Sequence, residues 1–298
     1  MYIHVNGELI PKEEAHISPF DHGYLYGIGL FETIRVYNRH PFLLDDHIER
    51  LNKGLQMIRI NFECSTDVWK TRIDELLQVN GYSDAYIRIN ISAGIGELGL
   101  TANPYNDPTT IIFSKPLSVN GKISEKAATI LKTKRNSPEG VFRLKSHHFL
   151  NNVLAKQELG NNPRREGIFL NEKGYIAEGI VSNVFWVKDR IVYTPALETG
   201  ILNGVTRKFI CSLLRRKQIE LKEGFYEPDH LYDADEAFMT NSIQGIVPFY
   251  AVDKRHFPGN NGEITKILLN NYNKYRETLM SSKQLKKGLE TDERQKTD

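Results

Sequence analysis

The chain has 298 residues, of which 40% are hydrophobic and 26% are charged, a composition typical of globular proteins. This length favours two domains or one large domain and excludes a small disulfide-stapled scaffold. The 39 basic and 37 acidic side chains give a formal charge of +2 without a basic field, which argues against a nucleic-acid partner and favours a small-molecule ligand.

Cysteine content and hydropathy bear on the compartment. Cys64 and Cys211 are too few for a disulfide framework and stand at no metal-ligand spacing, so we expect a cytoplasmic protein without a metal site. The first residues lack the pattern of a secretory signal. The apolar run at 246–252 is far shorter than the roughly 20 residues that cross a bilayer, so we expect no membrane partner.

The first part of the chain alternates strand and helix signals. Apolar alternation predicts strands at 2–5, 30–37, 84–92 and 109–113, and helical spacing predicts helices from Asp45 and over 65–80. The glycines at 23, 27 and 29 lack the spacing of a dinucleotide fingerprint and predict a loop. We therefore expect a smaller N-terminal α/β domain over 1–115, followed by an interdomain connection over 116–125.

The second part of the chain continues with short strands and three longer helices. The pattern predicts strands near 127–131, 167–170, 180–187, 191–194, 237–239 and 245–250, and helices near 146–160, 205–217 and 262–281. A larger C-terminal domain over 126–281 follows, and the charged, apolar-poor tail at 282–298 is expected to be disordered. The fold class is α/β, with two domains.

Three features of the second part suggest chemistry, but the residues alone leave each open. The segment ILNGVTR at 201–207 leads into a helix, which suits either a phosphate seat or an ordinary capped helix. Glu178 precedes an apolar strand, so it is either a buried acid with a partner or a solvated edge residue. Lys145 is a nucleophile only if burial lowers its pKa. His147 and His148 are adjacent on the predicted helix and do not share a face, which argues against a metal site.

Taken together, these segments resemble the pyridoxal-phosphate enzymes of fold type IV, which include branched-chain and D-amino-acid aminotransferases and aminodeoxychorismate lyases. The resemblance spans nearly the whole chain. It is carried by FDHGYLYGIGLFETIRVY (20–37), HIERL (47–51), YIRINISAG (86–94), RLKSHHFLNN (143–152), GYIAEGIVSNVFW (174–186), ILNGVTR (201–207) and DEAFMTNS (235–242). It implies the D-amino-acid aminotransferase-like fold, pyridoxal 5'-phosphate as cofactor and a homodimer.

The resemblance also implies roles for residues around the cofactor. Lys145 is the Schiff-base lysine, first the nucleophile and then the proton shuttle. Glu178 pairs with the pyridine nitrogen, and Asn183 lies on the strand beneath the ring. The phosphate is held by one side chain of HIERL, by the backbone at the start of a helix and by a hydroxyl: Arg50, Val205, Thr206 and Ser242.

On the substrate side, Arg88 of YIRIN matches an arginine that lines the pocket in branched-chain enzymes. A dianionic substrate favours cationic or hydrogen-bonding partners, and the candidates for its carboxylates are Arg88, Arg143, His147 and His148. Proton donors to the leaving oxygen are Lys145, Tyr26 or Thr33.

Two departures bear on the choice among family members. Ala93 stands where D-amino-acid aminotransferases carry the arginine that traps the substrate carboxylate, and no tyrosine follows Lys145 within 146–150, unlike in branched-chain enzymes. The sequence is most similar to the aminodeoxychorismate lyases of Gram-positive bacteria, which convert 4-amino-4-deoxychorismate into 4-aminobenzoate and pyruvate in folate biosynthesis. The alternatives are a branched-chain or D-amino-acid aminotransferase, or a non-catalytic ligand-binding homologue.

Overall fold

The computed structural model describes residues 1–117 and 125–285, which form two compact units. Residues 118–124 of the connection predicted at 116–125, and residues 286–298 of the tail predicted at 282–298, lie outside the described residues. The first unit holds 1–117, 144–148 and 276–281, and the second holds 125–143, 149–275 and 282–285.

Two short segments, 144–148 and 276–281, belong to the first unit. The sequence analysis placed both in the C-terminal domain, because it divided the chain at a single position. Backbone hydrogen bonds account for this grouping. The Phe31 N–H donates to the Lys145 carbonyl at 2.9 Å, and the Leu43 N–H donates to the Leu279 carbonyl at 3.0 Å. The unit boundaries therefore follow contacts that are distant in sequence.

In the first unit, helices and strands alternate as the sequence indicates. Its elements are β1 (Tyr2–Val5), β2 (Glu8–Pro11), α1 (His22–Tyr26), β3 (Gly29–Tyr37), β4 (His40–Pro41), α2 (Leu44–Met57), α3 (Thr66–Asn80), β5 (Ala85–Ser92) and β6 (Thr109–Pro116). Within residues 1–117 these strands form an antiparallel sheet in the order β2-β1-β6-β5-β3-β4.

Strand β5 shows why this sheet has two different faces. Its residues alternate between buried and half-exposed along the whole strand, the period of two that a strand imposes. The buried set, including Ile87 and Ile89, packs with α2 and α3 in a core that also contains Ile34, Leu55 and Trp69, all of them 0% exposed. The other set, which includes Arg88 and Asn90, lies on the opposite face and is available for chemistry.

The second unit is built on a larger mixed sheet. Its elements are β7 (Lys126–Ile130), α4 (Leu150–Leu159), β8 (Arg165–Leu170), β9 (Ile176–Gly179), β10 (Asn183–Lys188), β11 (Ile191–Pro195), α5 (Val205–Arg216), β12 (Leu221–Gly224), α6 (Pro228–Tyr232), β13 (Glu236–Asn241), β14 (Gly245–Val252), β15 (Arg255–His256) and α7 (Glu263–Tyr275). Over the part of this unit that the structure describes, the strand order is β12-β11-β10-β13-β14-β7-β8-β9, with β15 on β14.

The central strands of this sheet are apolar, because both of their faces are buried. β10 and β13 occupy central positions, and nearly all their side chains are buried, as expected for strands covered on both faces. Trp186, Phe238 and Phe249 are each 0% exposed. The mixed helix and sheet content of the two units confirms the predicted α/β class.

Several predicted elements differ from the structure in their bounds or type. The helix predicted from Ser146 begins at Leu150, because residues 145–147 pair with β3 instead. The last helix ends at Tyr275 rather than Ser281. The strand predicted at 180–187 starts at Asn183, after a turn that follows β9, and the glycine-rich loop contains the short helix α1.

Among the described residues, the structure has no helix that is both long and apolar enough to cross a membrane.

Candidate active site

Lys145 lies in the first unit on a segment that extends the sheet beyond β3. The Phe31 N–H donates to the Lys145 carbonyl at 2.9 Å, and the His147 N–H donates to the Gly29 carbonyl at 3.0 Å, with Leu30 and Ser146 forming the bridge between them. These backbone hydrogen bonds hold the Lys145 segment against β3. Because side chains alternate along an extended segment, Lys145 and His147 point to the same side.

Two cations contact the Phe31 ring. The Lys145 Nζ lies 4.4 Å from the ring centroid, and the Arg88 guanidinium carbon lies 3.8 Å from it. Arg88 is also oriented by its neighbour on β5, since its Nε donates to the Asn90 Oδ1 at 2.8 Å. The cation–π contact with Phe31 and this hydrogen bond orient the Arg88 guanidinium.

A cavity of about 460 Å³ opens on the same unit. Asn90 and His147 are among its lining residues, together with Ser92, Ile111 and Tyr24. The lining also includes the carboxylate of Asp21, which accepts hydrogen bonds from the Gly23 N–H and the Ser92 hydroxyl. Arg88 contacts this surface through its hydrogen bond to Asn90.

The two adjacent histidines differ in environment. Burial, with a smaller contribution from Arg88, lowers the pKa of His147 to about 4, so its ring is neutral at neutral pH. Its Nε2 is buried and has no hydrogen-bond partner within residues 1–117 and 125–285. His148 is exposed, and its Nε2 lies 3.2 Å from the Tyr26 carbonyl oxygen. The two rings therefore offer different chemistry, since that of His147 is buried and uncharged at neutral pH.

Arg50 is held by a buried carboxylate that the sequence analysis did not identify. Its Nε and Nη2 donate to the two oxygens of Glu32, each at 2.7 Å, and the His47 Nδ1 lies 2.7 Å from Glu32 Oε2. Burial opposes ionisation of Glu32, but Arg50 and His47 outweigh it and lower the pKa of that carboxyl to about 2. Burial lowers the pKa of His47, and the positive charges of Arg50 and Lys145 lower it further, although Glu32 opposes them.

The two candidate hydroxyl donors also lie in the first unit. Tyr26 ends α1, and its hydroxyl oxygen accepts a hydrogen bond from the Gly99 N–H at 2.7 Å. Thr33 lies on β3 directly opposite Arg88 of β5, so the two side chains share a face of the sheet.

In the second unit, Glu178 ends up buried with several partners, which answers the question that its sequence position left open. Its Oε1 accepts from the Arg135 Nε at 2.9 Å. Its Oε2 accepts from the Leu202 N–H at 2.9 Å and lies 3.4 Å from the Asn183 Nδ2. A buried carboxylate needs such donors to remain charged.

Arg143 also approaches Glu178, with 3.7 Å between its Nε and the Glu178 Oε1. Its guanidinium donates to the backbone carbonyls of Gly200 and Asn136. Burial and the nearby Arg135 lower the pKa of Arg143 to about 10, so it remains a cation at neutral pH. These contacts direct Arg143 towards a carboxylate of the protein itself.

The start of α5 offers donors for an anion. The helix follows Gly204 without a side-chain cap, so its first backbone N–H groups, including those of Val205 and Thr206, can bind a ligand. A Cβ at position 204 would lie 2.1 Å from the Asn183 Oδ1, which explains the glycine.

Two hydroxyls lie near the end of β13. Thr240 is directly opposite Asn183 in the sheet, and its Oγ1 is buried without a hydrogen-bond partner among the described residues. Ser242 follows β13 in a turn where Asn241 accepts from two backbone N–H groups. The Thr240 hydroxyl, which has no hydrogen-bond partner among the described residues, and the start of α5, which has no side-chain cap, both fit a cofactor that carries a phosphate.

Each unit thus collects part of the predicted set. The first unit contains Lys145, Arg50, Arg88, Thr33, Tyr26, His147 and His148, and the second contains Glu178, Asn183, Val205, Thr206, Arg143 and Ser242. The sequence analysis did not identify Glu32, His47, Phe31 or Arg135. His47 and Arg50 could have been paired from their spacing, since residues three apart share a helix face. In the described residues, no group of three or more histidine, cysteine or acidic side chains could hold a metal ion.

Comparisons with known proteins place this geometry in a family. Residues 29–252 match the family described as Amino-transferase class IV. The chain is 48% identical to an aminodeoxychorismate lyase from Bacillus subtilis (strain 168), across 94% of this chain and 97% of the relative.

Solved structures agree with that placement. A putative 4-amino-4-deoxychorismate lyase from Legionella pneumophila superimposes with a TM-score of 0.79 at 27% identity, covering 88% of this chain and 96% of that one. A branched-chain amino acid aminotransferase from Escherichia coli gives a TM-score of 0.82 at 29% identity, covering 93% and 96%. A further branched-chain amino acid aminotransferase, solved with pyridoxamine 5'-phosphate, gives a TM-score of 0.82 at 27% identity, covering 92% and 93%. The expectation of a type IV fold is confirmed.

Proposed function

The chain belongs to the Amino-transferase class IV family, and on that premise we propose that it is a pyridoxal-phosphate-dependent 4-amino-4-deoxychorismate lyase. The reaction breaks the C–H bond at the amine-bearing carbon and the adjacent C–O bond. It yields 4-aminobenzoate and enolpyruvate, which becomes pyruvate. The observation that carries the lyase assignment is the 48% identity with an aminodeoxychorismate lyase over 94% of the chain.

Lys145 is the group that we assign to proton transfer. Its Nζ lies 4.4 Å from the centroid of the Phe31 ring, which the Arg88 guanidinium also contacts. The backbone pairing with β3 restricts the positions that the amine can reach. Lys145 would take the proton from the amine-bearing carbon and later hold the cofactor covalently again.

The cofactor, when bound, supplies an electron sink for the charge that proton removal leaves on the substrate. In the first unit, Arg50, whose guanidinium is oriented by Glu32, would bind its phosphate. In the second unit, the backbone of Val205 and Thr206 and the Ser242 hydroxyl are the donors that we assign to a phosphate, and Glu178 is the carboxylate that we assign to the ring nitrogen.

Substrate recognition falls to the open face of the first unit. Arg88 is the cation that we assign to a substrate carboxylate, because its guanidinium is oriented by Phe31 and Asn90. The neutral His147 contributes a hydrogen bond rather than a charge. Tyr26 or Thr33 would donate a proton to the departing oxygen, since both carry hydroxyls within the same unit.

A homodimer and a cytoplasmic location are also part of the proposal. Supporting the dimer, the first unit exposes apolar side chains in and before α1 and on the loop after β5, and backbone hydrogen bonds join the two segments between His22 and Gly94 and between Gly96 and Phe20. The exposed set is Phe20, Tyr24, Ile95, Leu98 and Leu100. An apolar patch of this kind suits an interface. The two unpaired cysteines support a reducing compartment.

The test is an assay for both products. Purified protein is incubated with 4-amino-4-deoxychorismate without any keto acid, and 4-aminobenzoate and pyruvate are measured. Equal amounts of the two products, lost in Lys145→Ala, are expected. Rapid amino transfer from an amino acid to 2-oxoglutarate without 4-aminobenzoate formation would instead show an aminotransferase. A Lys145→Ala protein as active as the parent would contradict the assignment of the lysine.

A further inference from the structure

The turn between β9 and β10 separates two residues that we assign to the cofactor, Glu178 and Asn183. A backbone hydrogen bond from the Gly179 N–H to the Ser182 carbonyl, 2.8 Å long, closes this turn. Glu178 stands directly before the turn and Asn183 directly after it, so a shift of the turn would displace both side chains. The groups that hold the turn therefore help to place the Glu178 carboxylate.

Two buried polar side chains bind the backbone of Ile180 within this turn. The Ile180 N–H donates to the Glu166 Oε1 at 3.0 Å and shares that proton with the Gly167 carbonyl, also at 3.0 Å. The Ile180 carbonyl accepts a hydrogen bond from the Asn152 Nδ2. Glu166 is 4% and Asn152 is 6% exposed, so losing either bond would leave a buried polar group unsatisfied. One residue of the turn is thus held from both sides, by a side chain of β8 and a side chain of α4.

Gly179 allows Glu166 to approach the turn closely. A Cβ at position 179 would lie 2.0 Å from the Ser182 Oγ and 3.3 Å from both the Cδ and the Oε1 of Glu166. The first of these distances is shorter than any real Cβ contact, so a larger residue would push the turn away from the glutamate. The glycine next to Glu178 therefore belongs to the same packing arrangement.

Two neighbouring asparagines of α4 differ in what their amide groups bind. The Asn152 Oδ1 lies 3.3 Å from the Arg135 Nη1, and the Asn151 Oδ1 accepts from the same nitrogen at 2.8 Å. Arg135 in turn donates to the Glu178 Oε1 at 2.9 Å. The Asn151 Nδ2 donates to the Lys134 carbonyl at 2.9 Å, whereas the Asn152 Nδ2 donates into the turn. The two side chains therefore share the arginine and differ in their contact with the turn.

We infer that Asn152 and Glu166 are positioning residues for the cofactor, an inference that rests on the proposed function. By binding the carbonyl and the N–H of Ile180, they fix the turn, and with it the Glu178 carboxylate that we assign to the ring nitrogen. Neither side chain has an assigned contact with the cofactor or the substrate, so both act through Glu178. A carboxylate that is already held in place binds its ligand more tightly, because less ordering accompanies binding.

The experiment compares how apoenzyme variants bind the cofactor. Asn152→Asp keeps an oxygen for Arg135 but loses the donor to the Ile180 carbonyl. Asn151→Asp is the matched control, since it makes the same change of charge beside Arg135 without touching the turn. Glu166→Leu removes the acceptor for the Ile180 N–H, and Glu166→Gln keeps one. Fluorescence titration of each apoenzyme with pyridoxal phosphate gives the Kd, and calorimetry gives the Tm.

We expect Asn152→Asp to bind pyridoxal phosphate about tenfold more weakly than Asn151→Asp, an effect of the size found for residues within one hydrogen-bond network. Glu166→Leu should show a similar loss, and Glu166→Gln should recover most of it. Each change is also made together with Glu178→Gln. Because both residues act through Glu178, either change should then alter the Kd by about twofold or less. A loss of stability alone would lower the Tm without this dependence on Glu178.

Equal Kd values in Asn152→Asp and Asn151→Asp would overturn the inference, and this pair decides alone if Glu166→Leu does not fold. Equal losses in Glu166→Leu and Glu166→Gln would also overturn it, because the charge and not the hydrogen bond would then be responsible. So would effects that add fully to that of Glu178→Gln. Failure of the proposed function is distinct: a parent that makes no 4-aminobenzoate rejects the lyase, while the Kd comparison still decides whether the turn is held for the cofactor.

Discussion

Arg50 donates two hydrogen bonds to the carboxylate of Glu32, from Nε to Oε1 and from Nη2 to Oε2, each 2.7 Å long. Such a bidentate pair fixes the plane of the guanidinium as well as its position. Glu32 is 1% exposed, so this pair forms away from water, and His47 adds a third hydrogen bond to the carboxylate. The residue that we assign to the cofactor phosphate is therefore oriented before any ligand arrives.

The first prediction concerns this pair. Glu32→Gln removes the charge that orients Arg50, so the apoenzyme should bind pyridoxal phosphate about tenfold more weakly, equivalent to roughly 1.4 kcal/mol. Fluorescence titration of the apoenzyme measures the Kd. Asp74→Asn, which breaks an exposed ion pair with Lys70 in the same unit, should leave it unchanged. An unaltered Kd in Glu32→Gln would reject the orienting role.

The second prediction concerns Arg88 as the substrate cation. Arg88→Gln should raise the KM for 4-amino-4-deoxychorismate about 10- to 100-fold and affect kcat less. The reason is that the lost charge-assisted contact weakens binding of the substrate in the ground state and in the transition state alike. Arg88→Lys should recover only part of the loss, since an ammonium does not reproduce the planar stacking on Phe31. Steady-state kinetics provide both values. A KM equal to that of the parent would remove Arg88 from the carboxylate site.

The third prediction is a pH dependence of stability from His147. Its pKa is lowered from 6.5 to about 4 in the folded protein, so the unfolded chain binds more protons between these two values. The stability that its neutral form contributes is complete above pH 6.5 and is lost as the pH falls towards about 4. His147→Gln should flatten the fall of Tm in this window. Calorimetric curves with the same slope for both proteins would contradict it.

The fourth prediction tests how the Lys145 segment is held. A Cβ at Gly29 would lie 2.4 Å from the His147 Cε1 and 2.7 Å from the Ile91 carbonyl, so Gly29→Ala should displace the paired segment and lower both Tm and kcat. Gly81→Ala is the matched control. That position has a φ of +70° and open space around it, so it should lose about 1 kcal/mol of stability with unchanged kcat. Equal kcat in both variants would show that the segment tolerates the shift.

Local patterns were sufficient for most of the fold. The alternation in β5 and the helical spacing in α2 identify their elements because burial on one face requires those periods. The predicted helix from Ser146 failed at its first turn because residues 145–147 form backbone hydrogen bonds with β3, more than a hundred positions earlier. No local signal encodes that partner.

In the candidate site, too, local sequence motifs predicted some residues and not the partners that come from distant parts of the chain. Lys145, Glu178 and Arg50 were identified from motifs, since each stands in a segment that resembles the family. The partners of these residues were not, because Arg135 reaches Glu178 and Glu32 reaches Arg50 only through the folded chain. The assignment of Arg143 to a substrate carboxylate rests on its charge alone and stays a prediction. In the structure its guanidinium donates to the carbonyls of Gly200 and Asn136, and its Nε lies 3.7 Å from the Glu178 Oε1.

The central claim is that the cofactor is bound covalently by Lys145, and one measurement tests it most directly. The holoenzyme is reduced with borohydride and digested, and the peptides are mapped by mass spectrometry. We predict a single pyridoxyl group, on the peptide that contains Lys145. A reduced protein without that group, or with it on a different lysine, would contradict the account.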